Sequence, residues 1–240
     1  MKPTNFILFG VFLLASCQAA GEPSSKMKAS ELFSSARETA LAEAAARGQT
    51  GRLKELFDQG VDVNARGKDG VTPLIWALVQ GSKSGFKYLL EHGANPNLQT
   101  AQGDSVMRLG AMHEDSEYLA LALKNKGDPN LVDPETAKTP LFAAIGSLRP
   151  KNIQLLIEAG ANLNFQDPTG NTPMMRAAGV NRFDFVHAFL KAGADTAIEN
   201  NWGNTIVYFV KDSTVSPKHE LYQWRLKVIA LLKEKGIEVK

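Results

Sequence analysis

The sequence predicts an all-α solenoid of about six stacked helix pairs, and three regularities in its 240 residues predict it. The tripeptides Thr72-Pro73-Leu74, Ser105-Val106-Met107, Thr139-Pro140-Leu141, Thr172-Pro173-Met174 and Thr205-Ile206-Val207 begin 33 or 34 residues apart. Gly60, Gly93, Gly127, Gly160 and Gly193 keep the same spacing. Apolar residues at i, i+3 and i+4 precede four of those glycines: Leu53/Leu56/Phe57, Phe86/Leu89/Leu90, Ile153/Leu156/Ile157 and Val186/Phe189/Leu190. A fixed period of this length marks a repeat architecture, and the triads mark amphipathic helices. Each unit has an apolar face that only a neighbour can cover, so stability comes from stacking.

The elements follow in chain order. Lys2 and the apolar run from Phe6 to Ala15 have the make-up of a secretory signal; a spanning helix needs about 20 apolar residues. Leu14-Ala15-Ser16-Cys17 resembles the lipobox of bacterial lipoproteins. That resemblance implies removal of residues 1–16, lipid attachment at Cys17 and, with Gln18 next, residence in the periplasm on the inner leaflet of the outer membrane. Membrane contact is then made only through the anchor at Cys17, which more than one acyl chain renders stable. Residues 17–29 are small and polar with Pro, Gly and Ser, and read as a flexible tether to a domain at 30–240. Residues 30–48 are Ala-rich and predict one capping helix. In each repeat Thr72, Thr139 or Thr172 serves as N-cap, and the Pro after it stands where a helix has no use for its N–H. The glycine after the second helix suits a position with positive φ. Unit three departs most, with Ser105-Val106-Met107, Lys124 at an apolar position and a residue missing after Gly127. Unit six carries extra residues at 211–220, and its Lys227, Lys233 and Lys235 fit a solvated face at the end of the stack.

The period, Thr-Pro-Leu and the Gly-Ala-Asn-Leu-Asn type of closing segment resemble the ankyrin repeat, with helix-turn-helix units joined by β-hairpin loops. No unit has His after Thr-Pro-Leu; Ile75, Arg108, Phe142, Met175 and Tyr208 stand there. The resemblance implies a binding surface on the hairpin tips and inner helices. It comprises Arg66, Lys68, Asp69 and Val71; Gln80; Gln102 and Asp104; Met112 and His113; Glu135, Thr136 and Lys138; Asn171; and Asn201, Trp202 and Asn204. Mixed charge and apolar groups favour a shaped protein partner over a polyanion. Trp202 stands out, because Trp is enriched at interface hot spots, whereas Trp76 and Trp224 read as packing residues.

No phosphate loop, zinc-protease, nucleophile-elbow or paired-cysteine motif occurs. The histidines His92, His113, His187 and His219 lack metal-ligand spacing, and His92 suits a helix C-terminus. The single cysteine supports neither a disulfide framework nor a metal cluster, and a formal net charge of +2 argues against nucleic acid. The expectation is a binding protein, not an enzyme, with no cofactor or metal. The whole chain resembles the lipid-anchored ankyrin immunity proteins that inhibit type VI secretion phospholipase effectors, which implies a secreted phospholipase as protein partner. The alternative is a periplasmic ankyrin scaffold for peroxide resistance.

Overall fold

The computed structural model describes residues 27–239. The expected signal peptide, the expected lipidation site Cys17 and most of the expected tether lie outside them. Among the described residues all regular elements are helical, apart from one isolated bridge between Asp133 and Lys138. The chain forms two compact units. The first takes the described residues up to Gly110 together with Glu117–Asp128, and the second takes Ala111–Ser116 together with those from Pro129 onward.

The first unit opens with α1 (Ala29–Leu32) and α2 (Ala36–Ala46). The single capping helix expected at 30–48 is therefore two, and Ala29, assigned to the tether, is a buried residue of α1. The break falls at Ser34-Ser35, both weaker helix formers than the alanines around them, and Ser35 precedes α2 without a side-chain cap bond. Phe33 and Ser35 are extended, Phe33 is 2% exposed, and its carbonyl accepts from Thr39 Oγ1 at 3.0 Å. Helices α3 (Thr50–Asp58), α4 (Pro73–Val79) and α5 (Lys83–Glu91) follow, then α6 (Val106–Met112) and α7 (Glu117–Lys124). The alanines of α2 let α5 lie directly on its backbone: a Cβ on Gly85 would come within 1.9 Å of the Ala45 carbonyl oxygen. Leu41, Leu53, Leu56, Leu74, Trp76, Phe86 and Leu89 form the core beside this contact. Trp76 is thus a packing residue, as expected.

The second unit contains α8 (Pro140–Gly146), α9 (Pro150–Glu158), α10 (Pro173–Gly179), α11 (Phe183–Lys191), α12 (Ile206–Lys211) and α13 (Glu220–Glu234). The extra residues of the sixth repeat form the loop 212–219 and lengthen α13 to 15 residues, against 9 in α11. Helix α13 packs on α11, buries Val228, Leu231 and Leu232, and is tied back by Arg225 Nε donating to the Val210 carbonyl at 2.9 Å.

Asparagine side chains join successive loops within each unit. Asn64 Nδ2 donates to the Gly93 carbonyl at 3.2 Å while its Oδ1 accepts from Asn95 N at 2.8 Å. Asn97 repeats this with the Lys126 carbonyl and Asp128 N, and Asn130 with the Gly160 carbonyl and Asn162 N. Asn164 Oδ1 accepts from Asp195 N at 2.9 Å.

Two expectations are corrected. Gly127 is not the positive-φ residue of its repeat: Lys126 takes that role at φ 67, beside 75, 90, 81 and 87 for Gly60, Gly93, Gly160 and Gly193. Gly127 N donates to the Ala122 carbonyl as Ala94 N does to Leu89 and Ala161 N to Leu156. Glycine therefore replaces the buried alanine, because a Cβ there would meet Met107 Sδ at 2.4 Å. No residue is missing after it; the 34-residue interval comes instead from the next hairpin, closed by Asp133 N to Lys138 O where its counterpart runs from Thr100 N to Asp104 O. The caps also differ among themselves. Thr72 Oγ1 accepts from Ile75 N at 3.2 Å and Thr172 Oγ1 from Met175 N at 3.3 Å, but Thr139 Oγ1 is buried without a hydrogen-bond partner among the described residues.

Candidate protein-interaction surface

Hairpin tips are positioned by side-chain caps on tight turns. In the loop before α12, Asn200 Oδ1 accepts from Trp202 N and Asn204 N, both at 3.0 Å. In the loop before α10, Asp167 Oδ1 accepts from Thr169 N at 2.9 Å and Asn171 N at 3.1 Å. Such local bonds fix the turn without burying the tip.

In the first unit the tips also bond to each other, Ala101 N donating to the Asp69 carbonyl at 2.7 Å. Arg66 is exposed but its guanidinium donates to the Gln99 carbonyl, so it braces the next loop. Lys68 is exposed and Asp69 half-buried at a left-handed φ of 54. Gln80 is exposed at the end of α4, and Gln102 is half-buried. Two expected surface residues are not on the surface. Asp104 is 7% exposed and pairs with Arg108, and Val71 is 2% exposed. Both occupy the inner leg of their hairpin, where the chain turns down toward the following helix.

In the second unit Glu135, Thr136, Asn201 and Trp202 are exposed, and Lys138, Asn171 and Asn204 partly so. Trp202 leads at 67% exposure. Asn201 steadies the tip, its Nδ2 donating to the Pro168 carbonyl at 3.0 Å and its N to Thr169 O at 3.2 Å. Asn171 Oδ1 accepts from Asn200 Nδ2 at 2.9 Å. Met112 and His113 are part of a braced turn. The Met112 carbonyl accepts from Arg149 Nε at 2.9 Å, the His113 carbonyl from Asn152 Nδ2 at 2.8 Å, and His113 Nδ1 from Asp115 N at 3.0 Å.

The sequence reading missed Arg176, Val180 and Leu148 and named Tyr208 only as a missing histidine; all four are exposed. The repeat register does not mark them. Ile75, Phe142 and Met175 are 1%, 5% and 1% exposed, whereas Tyr208 at the same register is 48% exposed.

The other histidines are structural. His92 ends α5, its Nδ1 2.8 Å from the Tyr88 carbonyl and its ring stacked on Tyr88 at 3.9 Å. His187 of α11 meets Trp224 of α13 edge-on at 5.3 Å, and Lys227 Nζ lies 3.9 Å over the Trp224 ring. Burial, with Lys191 and Lys227 nearby, lowers the His187 pKa below 6.5. Among the described residues no group of three or more His, Cys, Asp or Glu could hold a metal ion, and no helix is long and apolar enough to cross a membrane.

Comparison with known proteins agrees with this geometry. Protein PhlB of Serratia liquefaciens is 33% identical over 161 residues, 67% of this chain and 68% of that protein. The crystal structure of the ankyrin repeat protein EF0377 superposes with a TM-score of 0.66 at 25% identity, covering 82% of this chain and 98% of that one. An ankyrin repeat domain from Acinetobacter baumannii AYE superposes with a TM-score of 0.70 over the same shares, and at 23% identity it speaks for the fold alone. The family described as ankyrin repeats (3 copies) matches residues 12–100 and 108–200. Helix pairs on a 33-residue register, glycine-ended second helices, capped hairpin tips and these matches together place the chain in the ankyrin repeat family, whose fold is a protein-binding scaffold.

Proposed function

We propose that this chain is a lipid-anchored periplasmic inhibitor, an immunity protein that binds a type VI secretion phospholipase effector and covers the entrance to its active site. The observation that carries the reading is Leu14-Ala15-Ser16-Cys17 standing ahead of an ankyrin body. A binding scaffold held at a membrane by an acyl anchor is placed where a lipid-cleaving enzyme works. The exposed Trp202 on a rigid, capped tip supports it, since large aromatic groups on preorganised loops lose little entropy on binding.

The test is to direct a candidate phospholipase effector to the periplasm with and without this chain. Protection that disappears with Cys17→Ala or with deletion of residues 30–240 supports the reading. Unchanged killing in the presence of the intact chain overturns it. Peroxide sensitivity of a deletion strain that is indifferent to competitor cells would favour a stress scaffold instead.

A further inference from the structure

In the second unit the inner helices α8, α10 and α12 pack in succession. Ala143, Arg176 and Phe209 share one register position on them, and Gly146 and Gly179 share another, one turn later. Arg176 is exposed, and no hydrogen bond or ion pair among the described residues engages its guanidinium. The only charged residues within the three helices are Arg176 and Lys211. The carboxylates nearest Arg176 along the chain are both engaged elsewhere: Asp184 takes two hydrogen bonds from Arg182, and Asp167 is buried and caps its own hairpin.

The glycines have no packing reason. A Cβ on Gly146 would meet nothing within 4 Å, and one on Gly179 only the edge of Phe209, at 3.8 Å. Neither has positive φ, so alanine would fit and would favour the helix. Close approach of another chain to the helix backbone does call for glycine. Tyr208, 48% exposed, is edge-on to Phe209 at 5.4 Å, and the exposed Trp202 stands on the hairpin that leads into α12.

We propose that this inner face takes an acidic protein segment. A carboxylate of the partner pairs with the Arg176 guanidinium, which suits it bidentately. The partner backbone lies along Gly146 and Gly179, and an apolar side chain rests against Tyr208 and Trp202. A single guanidinium flanked by small and aromatic groups fits one carboxylate; a nucleic acid backbone would need a run of cations. The inference rests on the protein-binding reading and specifies the chemistry of the partner.

The probe is a short soluble peptide of Glu-Leu-Gly repeats, with a Lys-Leu-Gly peptide as its counterpart, titrated into the nitrogen-15-labelled full chain. The Glu peptide is expected to shift the amides of Gly146, Arg176 and Gly179 and the indole of Trp202. Arg176→Gln is expected to weaken that binding by about tenfold or more. Gly179→Ala, whose methyl would meet only the Phe209 ring edge at 3.8 Å, should weaken it without lowering the unfolding midpoint. Equal response to both peptides, shifts confined to α13, or undiminished binding by Arg176→Gln would each overturn the proposal. The protection assay separates it from the immunity reading. Protection that survives both substitutions ends this inference and leaves the inhibitor, whereas specific Glu-peptide binding without protection leaves this face and ends the phospholipase assignment.

Discussion

Lys126 holds in its repeat the left-handed backbone position that Gly93 holds one repeat earlier, with φ 67 against 90. A lysine there carries a conformational cost that glycine does not. Lys126→Gly is therefore expected to stabilise the protein, by up to about 1 kcal/mol. Gly127→Ala should destabilise it by about 1–3 kcal/mol, because the new methyl overlaps Met107 Sδ and the Ala122 carbonyl. Urea unfolding of the two variants decides it. Gly127 in the positive-φ role would reverse the order of the two residues.

The unpartnered hydroxyl of Thr139 leads to a contrast between two threonines at the same register. Thr139→Val is expected to be neutral or slightly stabilising, since it removes a buried polar group with no bond. Thr72→Val should cost about 0.5–2 kcal/mol through loss of the bond from Ile75 N. Thermal unfolding of both, compared with the parent chain, checks the difference.

The asparagine bridges make a local prediction. Asn164→Ala leaves Asp195 N without its acceptor, so hydrogen exchange at Asp195 should accelerate while the global unfolding free energy falls by about 1 kcal/mol. Exchange at Asn95, bonded to Asn64, should not change. An unaltered rate at Asp195 would count against the bridge.

His187 gives a pH dependence of known sign. Its pKa is lowered in the fold by burial and then by Lys191 and Lys227, so the unfolded chain takes up the proton more readily. The stability that depends on neutral His187 is fully present above pH 6.5 and is lost as pH falls from there through the lower folded value. Urea midpoints should drop on acidification in the parent chain and drop less in His187→Gln.

Much of the fold was legible because the repeat is written in local chemistry. Thr72-Pro73, the triads and Gly93 each specify one turn or helix end, and each stands where the period puts it. What was not legible depended on side-chain contacts that the repeat pattern does not carry. Gly127 reads as a helix stop until Met107, a distant residue in sequence, is seen against it. Asp104 reads as a surface acid until Arg108 and the inward leg of its hairpin are seen. Exposure was legible at Trp202, which stands between the turn residues Asn200 and Gly203, and not at Arg176. A charge in a helix has no sequence mark telling whether a neighbouring repeat will cover it.

The asparagine bridges also bear on how this chain behaves under load. Each joins the side chain of one loop to a backbone amide about 30 residues further along, as Asn64 does with Asn95 and Asn164 with Asp195. Pulled from its ends, a chain stapled in this way would yield bridge by bridge, each rupture freeing a length of about 10 nm. Held at one end and pulled at the other, it would then lengthen in steps and re-form its loops in the same steps when the force is withdrawn.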